Sequence, residues 1–144
     1  MNKDAMQAYH QAGISSANYA NPHQLILMLM DGALERVAKA KGAILQKALA
    51  EKGKHLSNTI MIISGLNDCL DMDAGGELSK NLSELYDYMR RRLLQANLDN
   101  DPDVLDEVAS LLNEIRSAWV AIPRPVQEAH GKNMYRQVAQ VLAD

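Results

Sequence analysis

Phenylalanine is absent from this chain, aromatic residues make up only 4% of it, and cysteine occurs once, at Cys69. A lone cysteine excludes an internal disulfide and fits a reducing compartment. No apolar run exceeds the six residues Leu25 to Met30, far short of the roughly 20 that a membrane span needs. Met1-Asn2-Lys3-Asp4 leads into no hydrophobic signal region, so a cytoplasmic location is expected. Excess positive charge is missing too: the net charge is −3 and the pI is near 5.8, which leaves no electrostatic footprint for nucleic acid. The tight basic run Arg90-Arg91-Arg92 reads as a solvated helix face, with a partner contact as the second reading.

What is present is a globular composition, 47% hydrophobic and 23% charged. A chain of 144 residues is most simply one domain, 1–144, able to bury roughly two-thirds of its unfolded surface. The 8 methionines suit irregular core gaps, and they also suit adaptable binding surfaces.

Helical periodicity dominates. Residues 1–20 are polar, with isolated apolar anchors at Met6, Tyr9, Ile14 and Tyr19, and read as a short helix or mobile arm. Asn21-Pro22-His23-Gln24 is a helix start: Asn21 caps, Pro22 takes the first helical position, and Gln24 completes a capping box. The first helix is expected from Pro22 to about Leu49, with an inner stripe of Ile26, Met30, Ala33, Val37, Ala40 and Ile44. Leu27, Leu34, Ala38 and Leu45 form a second stripe about a quarter-turn away.

Gly53 is placed in the following connection. A second helix to about Met72 is expected to use Leu56, Ile60, Ile63 and Leu70 as its core face, with Ile62, Leu66 and Cys69 beyond it. Asp73-Ala74-Gly75-Gly76 reads as a turn whose glycines can take positive φ. The third helix, about Glu77 to Leu98, carries Leu78, Leu82, Leu85, Met89, Leu93 and Ala96. Asp101-Pro102 opens a fourth, with Val104, Val108, Leu111, Ile115 and Ile122 as core and Leu105, Leu112 and Trp119 along one edge. Pro123 and Pro125 end it, and residues 126–143 form a short amphipathic segment carrying Tyr135, Val138, Val141 and Leu142. Period-two alternation is missing, so the fold class is all-α: an antiparallel four-helix bundle over 22–122, an N-terminal arm and a short C-terminal helix in 123–144.

The sequence carries no pattern of a catalytic or metal centre. A di-iron bundle needs Glu-x-x-His pairs, and none occurs; His10, His23, His55 and His130 are scattered without ligand spacing. Asp71 to Leu82 starts like a calcium loop but ends on leucine where a carboxylate is required. Cys69 sits among apolar neighbours, as an inert buried thiol would. Phosphate-binding glycine patterns are absent, so no catalytic residue, cofactor, metal or small-molecule substrate is expected. The alternative function is a histidine phosphotransfer bundle using His55 beside Lys52 and Lys54. Leu56-Ser57-Asn58 follow it, however, without the Lys-Gly which that family carries there.

Leu25 to Met30 point to every side of a helix, whereas a bundle helix ordinarily needs about three apolar residues per heptad. Three arrangements would cover the surplus: the chain's own terminal segments, a homodimer seam, or a partner's amphipathic segment in a groove.

Two blocks carry a resemblance that bears on this choice. The first is Asn21-Pro22-His23-Gln24-Leu25-Ile26-Leu27-Met28-Leu29-Met30-Asp31-Gly32-Ala33. The second runs from Leu70-Asp71 and Gly75-Gly76-Glu77-Leu78 through Asn81-Leu82-Ser83-Glu84-Leu85-Tyr86-Asp87-Tyr88-Met89. It continues over Arg91-Arg92-Leu93-Leu94-Gln95-Ala96-Asn97-Leu98 and Asn100-Asp101 to Ala118-Trp119. In this order and spacing, over about Tyr9 to Ile122, the chain resembles the flagellin-export chaperones, FliS. The resemblance implies a non-enzymatic cytoplasmic chaperone that binds the disordered C-terminal segment of flagellin, blocks premature polymerisation and delivers it to the membrane protein of the export gate. Client contacts are then expected on outer apolar faces at Leu27, Met30, Leu34, Ile62, Leu66 and Cys69, and at Tyr86, Tyr88, Arg91 and Asn97. By position, Met6 and Tyr9 correspond to the arm that takes part in gate docking.

Overall fold

A computed structural model describes residues 22–70 and 72–122. The arm with Met6 and Tyr9, and the short helix expected in 126–143, lie outside the described residues. Within them the chain forms four helices: α1, Pro22–Leu45; α2, Leu49–Asp68; α3, Met72–Asp99; and α4, Pro102–Val120. Each helix packs on two neighbours, α1 and α3 both lying against α2 and α4. Cross-links at matching depths fix the antiparallel sense. Lys41 pairs with Asp106, Asp31 with Arg116, and His23 with Trp119, so α4 descends as α1 rises.

The helix ends explain where the chain turns. The first connection falls at Gln46 to Ala48, not at Gly53. Lys47 takes φ 61 and donates to the Ile44 carbonyl, while Ala48 N–H reaches Ala43 O at 2.8 Å. This crossed pair is a Schellman stop, built here on a lysine although the left-handed conformation costs a side-chain-bearing residue about 1 kcal/mol. Gly53 instead lies inside α2. Asn100, at φ 53, ends α3 with a bond from its N–H to Ala96 O, and asparagine tolerates that conformation. One residue on, Asp101 accepts from Asp103 N–H at 2.9 Å and Pro102 takes the first helical position. Gly76 has φ 53 and ψ −130, so helical structure begins before the expected turn and continues through a kink there.

The core holds Ile26, Leu29, Met30, Ala33 and Val37 of α1, Leu56, Ile62, Ile63 and Leu66 of α2, Tyr86, Met89, Leu93 and Ala96 of α3, and Val104, Leu105, Val108, Leu112 and Trp119 of α4. Two expected faces are rotated. On α2 the core takes Ile62 and Leu66, while Ile60 and Leu70 sit half-buried at its edge; on α4 it takes Leu105, Leu112 and Trp119, leaving Leu111 and Ile115 half-buried. Lys52, only 7% exposed, donates from Nζ to Asn97 O at 2.9 Å and to Asn100 Oδ1. A cation thereby meets the negative end of α3 and ties it to the first turn of α2.

Candidate functional site

The seam between α3 and α4 is closed at one end and open at the other. Near the end of α3, Arg92 donates from Nε to Glu107 Oε1 at 2.8 Å, and the Tyr88 hydroxyl donates to Glu107 Oε2 at 2.9 Å. One carboxylate thus takes a donor on each oxygen. The bond from Arg92, and after it the bond from Tyr88, hold the Glu107 carboxyl below its ordinary range. The same contact with Glu107 pushes the Tyr88 phenol up.

One turn further along lie Leu85 and Leu111, half-buried. Beyond them the seam opens into an apolar cavity of about 220 Å³ between Leu78 and Leu82 on α3 and Ile115, Ala118, Trp119 and Ile122 on the α4 side. Leu78, Leu82 and Leu85 recur at i, i+4 and i+7, as do Leu111, Ile115 and Ala118, so each helix presents one apolar row to the groove. Ala118 contributes only a methyl group, leaving space a longer side chain would fill. Glu114 is the one charged residue on the rim.

The cavity wall is braced from behind. The Trp119 indole stacks on the His23 ring, centroids 5.2 Å apart and planes within 9°. Trp119 Nε1–H donates to His23 O at 2.9 Å, and His23 Nε2 donates to Trp119 O at 2.7 Å. This reciprocal clasp locks the first turn of α1 to the last turn of α4 and fixes the indole of Trp119, which is among the residues lining the cavity.

The structure does not gather the expected client residues into one surface. Met30, Ile62, Leu66 and Tyr86 lie in the core, at most 2% exposed, because each sits at the centre of its helix's inward face. Burial raises the Tyr86 phenol far above its usual range, with Cys69 adding to the effect. Leu27 and Leu34 are half-buried on the α1 side facing α4, flanking Asp31 and its ion pair with Arg116. Cys69 is half-buried at the end of α2, Tyr88 belongs to the polar closure of the seam, Arg91 is exposed beside Asp87, and Asn97 lends its carbonyl to Lys52. The groove itself was absent from the expectation, its leucines having been assigned to core stripes. The available signal was α4, which carries two apolar rows where one suffices.

His55 is half-buried on α2 with Nδ1 enclosed and Nε2 3.8 Å from Glu51, unlike the exposed imidazole that phosphotransfer needs. Among the described residues no group of His, Cys, Asp or Glu could hold a metal ion. Likewise, no helix among them is long and apolar enough to cross a membrane.

Comparison with known proteins agrees with this architecture. The family model described as flagellar protein FliS matches residues 3–126. The chain is 48% identical over 119 residues to the flagellar secretion chaperone FliSB of Pseudomonas aeruginosa, covering 82% of this chain and 94% of that protein. It is 50% identical over 119 residues to the flagellar secretion chaperone FliS of Salmonella typhimurium, covering 81% and 88%. Against the flagellar secretion chaperone FliS of Vibrio cholerae it is 42% identical over 122 residues, covering 84% and 90%. With the family model spanning all four helices and these relatives covering 81–84% of the chain, the chain belongs to the FliS family of flagellar secretion chaperones.

Proposed function

We propose that this protein is a cytoplasmic export chaperone whose client is flagellin, held by its disordered C-terminal segment and handed to the flagellar export gate. The observation that carries the reading is the open apolar groove between α3 and α4, a 220 Å³ cavity continued by the half-buried rows of Leu85 and Leu111. Such a groove suits an amphipathic helix laid against two parallel rows of apolar side chains. A client that is disordered when free loses entropy on ordering, so a large contact area remains compatible with release at the gate. Covering the client's sticky segment keeps it from polymerising early.

Leu27 and Leu34, on the α4-facing side of α1, extend the client surface around the bundle. Met6 and Tyr9 serve gate docking, so replacing Tyr9 should reduce export more than client capture. The direct test is size-exclusion chromatography with light scattering on a mixture with flagellin. A one-to-one complex is expected, lost when flagellin's C-terminal segment is deleted. Unchanged binding after that deletion would sink the proposal.

A further inference from the structure

Glu107 and Glu114 stand at i and i+7 on α4, so both carboxylates lie on the same side of the helix, two turns apart. At Glu107, α3 supplies two donors, Arg92 and Tyr88. The same step back along the antiparallel α3 leads from Arg92 to Leu85 and from Tyr88 to Asn81. Leu85 is apolar and half-buried, and Asn81 is exposed and uncharged. Glu114 therefore meets no cation where Glu107 meets one, and it has no ion pair among the described residues. It is also the charged residue on the rim of the apolar cavity. Volume is lacking at the same place. The cavity measures about 220 Å³, whereas an apolar cavity of about 150 Å³ already accepts a benzene ring. One leucine-sized or larger side chain fits over Ala118, between Leu82 and Ile115.

We propose that the α3–α4 groove selects its client by two adjacent features of one amphipathic helix. A bulky apolar side chain enters the cavity over Ala118, and a lysine or arginine one turn away pairs with Glu114 as Arg92 pairs with Glu107. Glu114 and Ala118 are neighbours at i and i+4, so an anchor and a cation three or four residues apart on the partner helix reach both. A segment with the same apolar stripe but acidic flanks sets like charge beside Glu114 and is rejected. That flagellin bears the segment rests on the functional reading above; the selection rule does not.

Two variants of the full-length chain test the rule, with labelled peptides titrated by fluorescence anisotropy. Ala118 is exposed, so Ala118→Leu fills the cavity from the chain's own side and should leave the urea midpoint unchanged or raised. Affinity for a flagellin C-terminal peptide should then fall about tenfold or more, the loss of one buried apolar side chain. Glu114→Gln should weaken binding by up to about fivefold and flatten its salt dependence. A peptide whose basic residues are changed to glutamate should bind the native chain poorly and recover on Glu114→Lys. Unchanged affinity in Ala118→Leu would overturn the anchor, and equal affinity and salt dependence across the Glu114 variants would overturn the charge selection. A dimer of the native chain by light scattering that Ala118→Leu dissociates would assign the groove to a second copy instead. A synthetic amphipathic helix with leucine and lysine four residues apart separates the two readings. If it binds and weakens in both variants while the flagellin peptide binds none of the chains, the flagellin reading fails and the selection rule stands. If the flagellin peptide binds every chain equally, the rule fails and the flagellin reading stands.

Discussion

Gly53→Ala and Gly76→Ala add the same methyl group, and at both positions a new Cβ meets open space within 4 Å. Packing therefore cancels from the comparison, and the backbone alone sets the sign. Gly53 occupies the interior of α2, where alanine is favoured over glycine, so Gly53→Ala should stabilise the fold by roughly 0.5–1 kcal/mol. Gly76, at φ 53 and ψ −130, holds a conformation that costs a side-chain-bearing residue about 1–3 kcal/mol, so Gly76→Ala should destabilise by that amount. Urea unfolding followed by far-UV circular dichroism reads both. With a slope of about 2 kcal/mol per molar, the midpoint should rise by about 0.25–0.5 M in the first variant and fall by about 0.5–1.5 M in the second, the slope being unchanged. Lys47→Gly gives a third arm: it relieves a left-handed side-chain-bearing residue at the Schellman stop and should not lower the midpoint. A lowered midpoint for Gly53→Ala would put the first connection at Gly53. A neutral Gly76→Ala would remove the kink that starts α3.

Four further outcomes test the cross-helix contacts, the core and the groove. Lys52→Met keeps the length of a buried side chain but removes the donor to Asn97 O and Asn100 Oδ1, and should cost about 1–3 kcal/mol in the same unfolding assay; a neutral result would show that those acceptors do not depend on Lys52. Glu107 has its carboxyl lowered below 4.5 in the folded state, so its contribution is fully present above that value and is lost as the pH falls through the folded value. The stability gap between the native chain and Glu107→Gln should therefore narrow as the pH drops below about 4.5, and a gap independent of pH would refute the assignment. Ile62→Asp places a charge at a fully buried core position and should abolish cooperative folding. Ile115→Asp, on the groove, should keep its circular dichroism and lose flagellin; retained capture would move the client elsewhere.

The helices were legible in the sequence because their signals are local. Pro22, Asp101-Pro102 and the i, i+4 leucines of α3 act within a few residues, and each appears where periodicity and capping place it. The first connection was misplaced for a related reason. Glycine is the strongest punctuation a sequence offers, and Gly53 drew the break eight residues past the observed helix end at Leu45. The actual stop uses Lys47, and nothing about a lysine announces a left-handed residue. Only the crossed hydrogen bonds from Lys47 and Ala48 identify it.

The groove was harder, because core and binding residues obey the same periodicity. On α4, Val104, Val108, Leu111 and Ile115 form one acceptable stripe and Leu105, Leu112 and Trp119 another, and a single helix cannot say which faces inward. The choice is made by partners far along the chain. His23 pins Trp119 through two hydrogen bonds, and Asp31 holds Arg116. Together these rotate the row containing Trp119 towards α1 and the core, which swings Leu111, Ile115 and Ala118 out towards α3. There Glu107, gripped by Tyr88 and Arg92, draws the helices together at one end only. The apolar row at the other end is left without a full partner. The site is thus a by-product of two long-range clasps, one behind α4 and one beside it. Loosening the clasp behind should therefore damage the groove even though His23 lines none of it. In His23→Ala the indole would lose its stacked ring and the donor to its own carbonyl, and the Ile115 row would be free to turn back inwards. Capture of flagellin should then weaken alongside stability, whereas loss of stability with capture intact would show that the groove keeps its shape without the clasp.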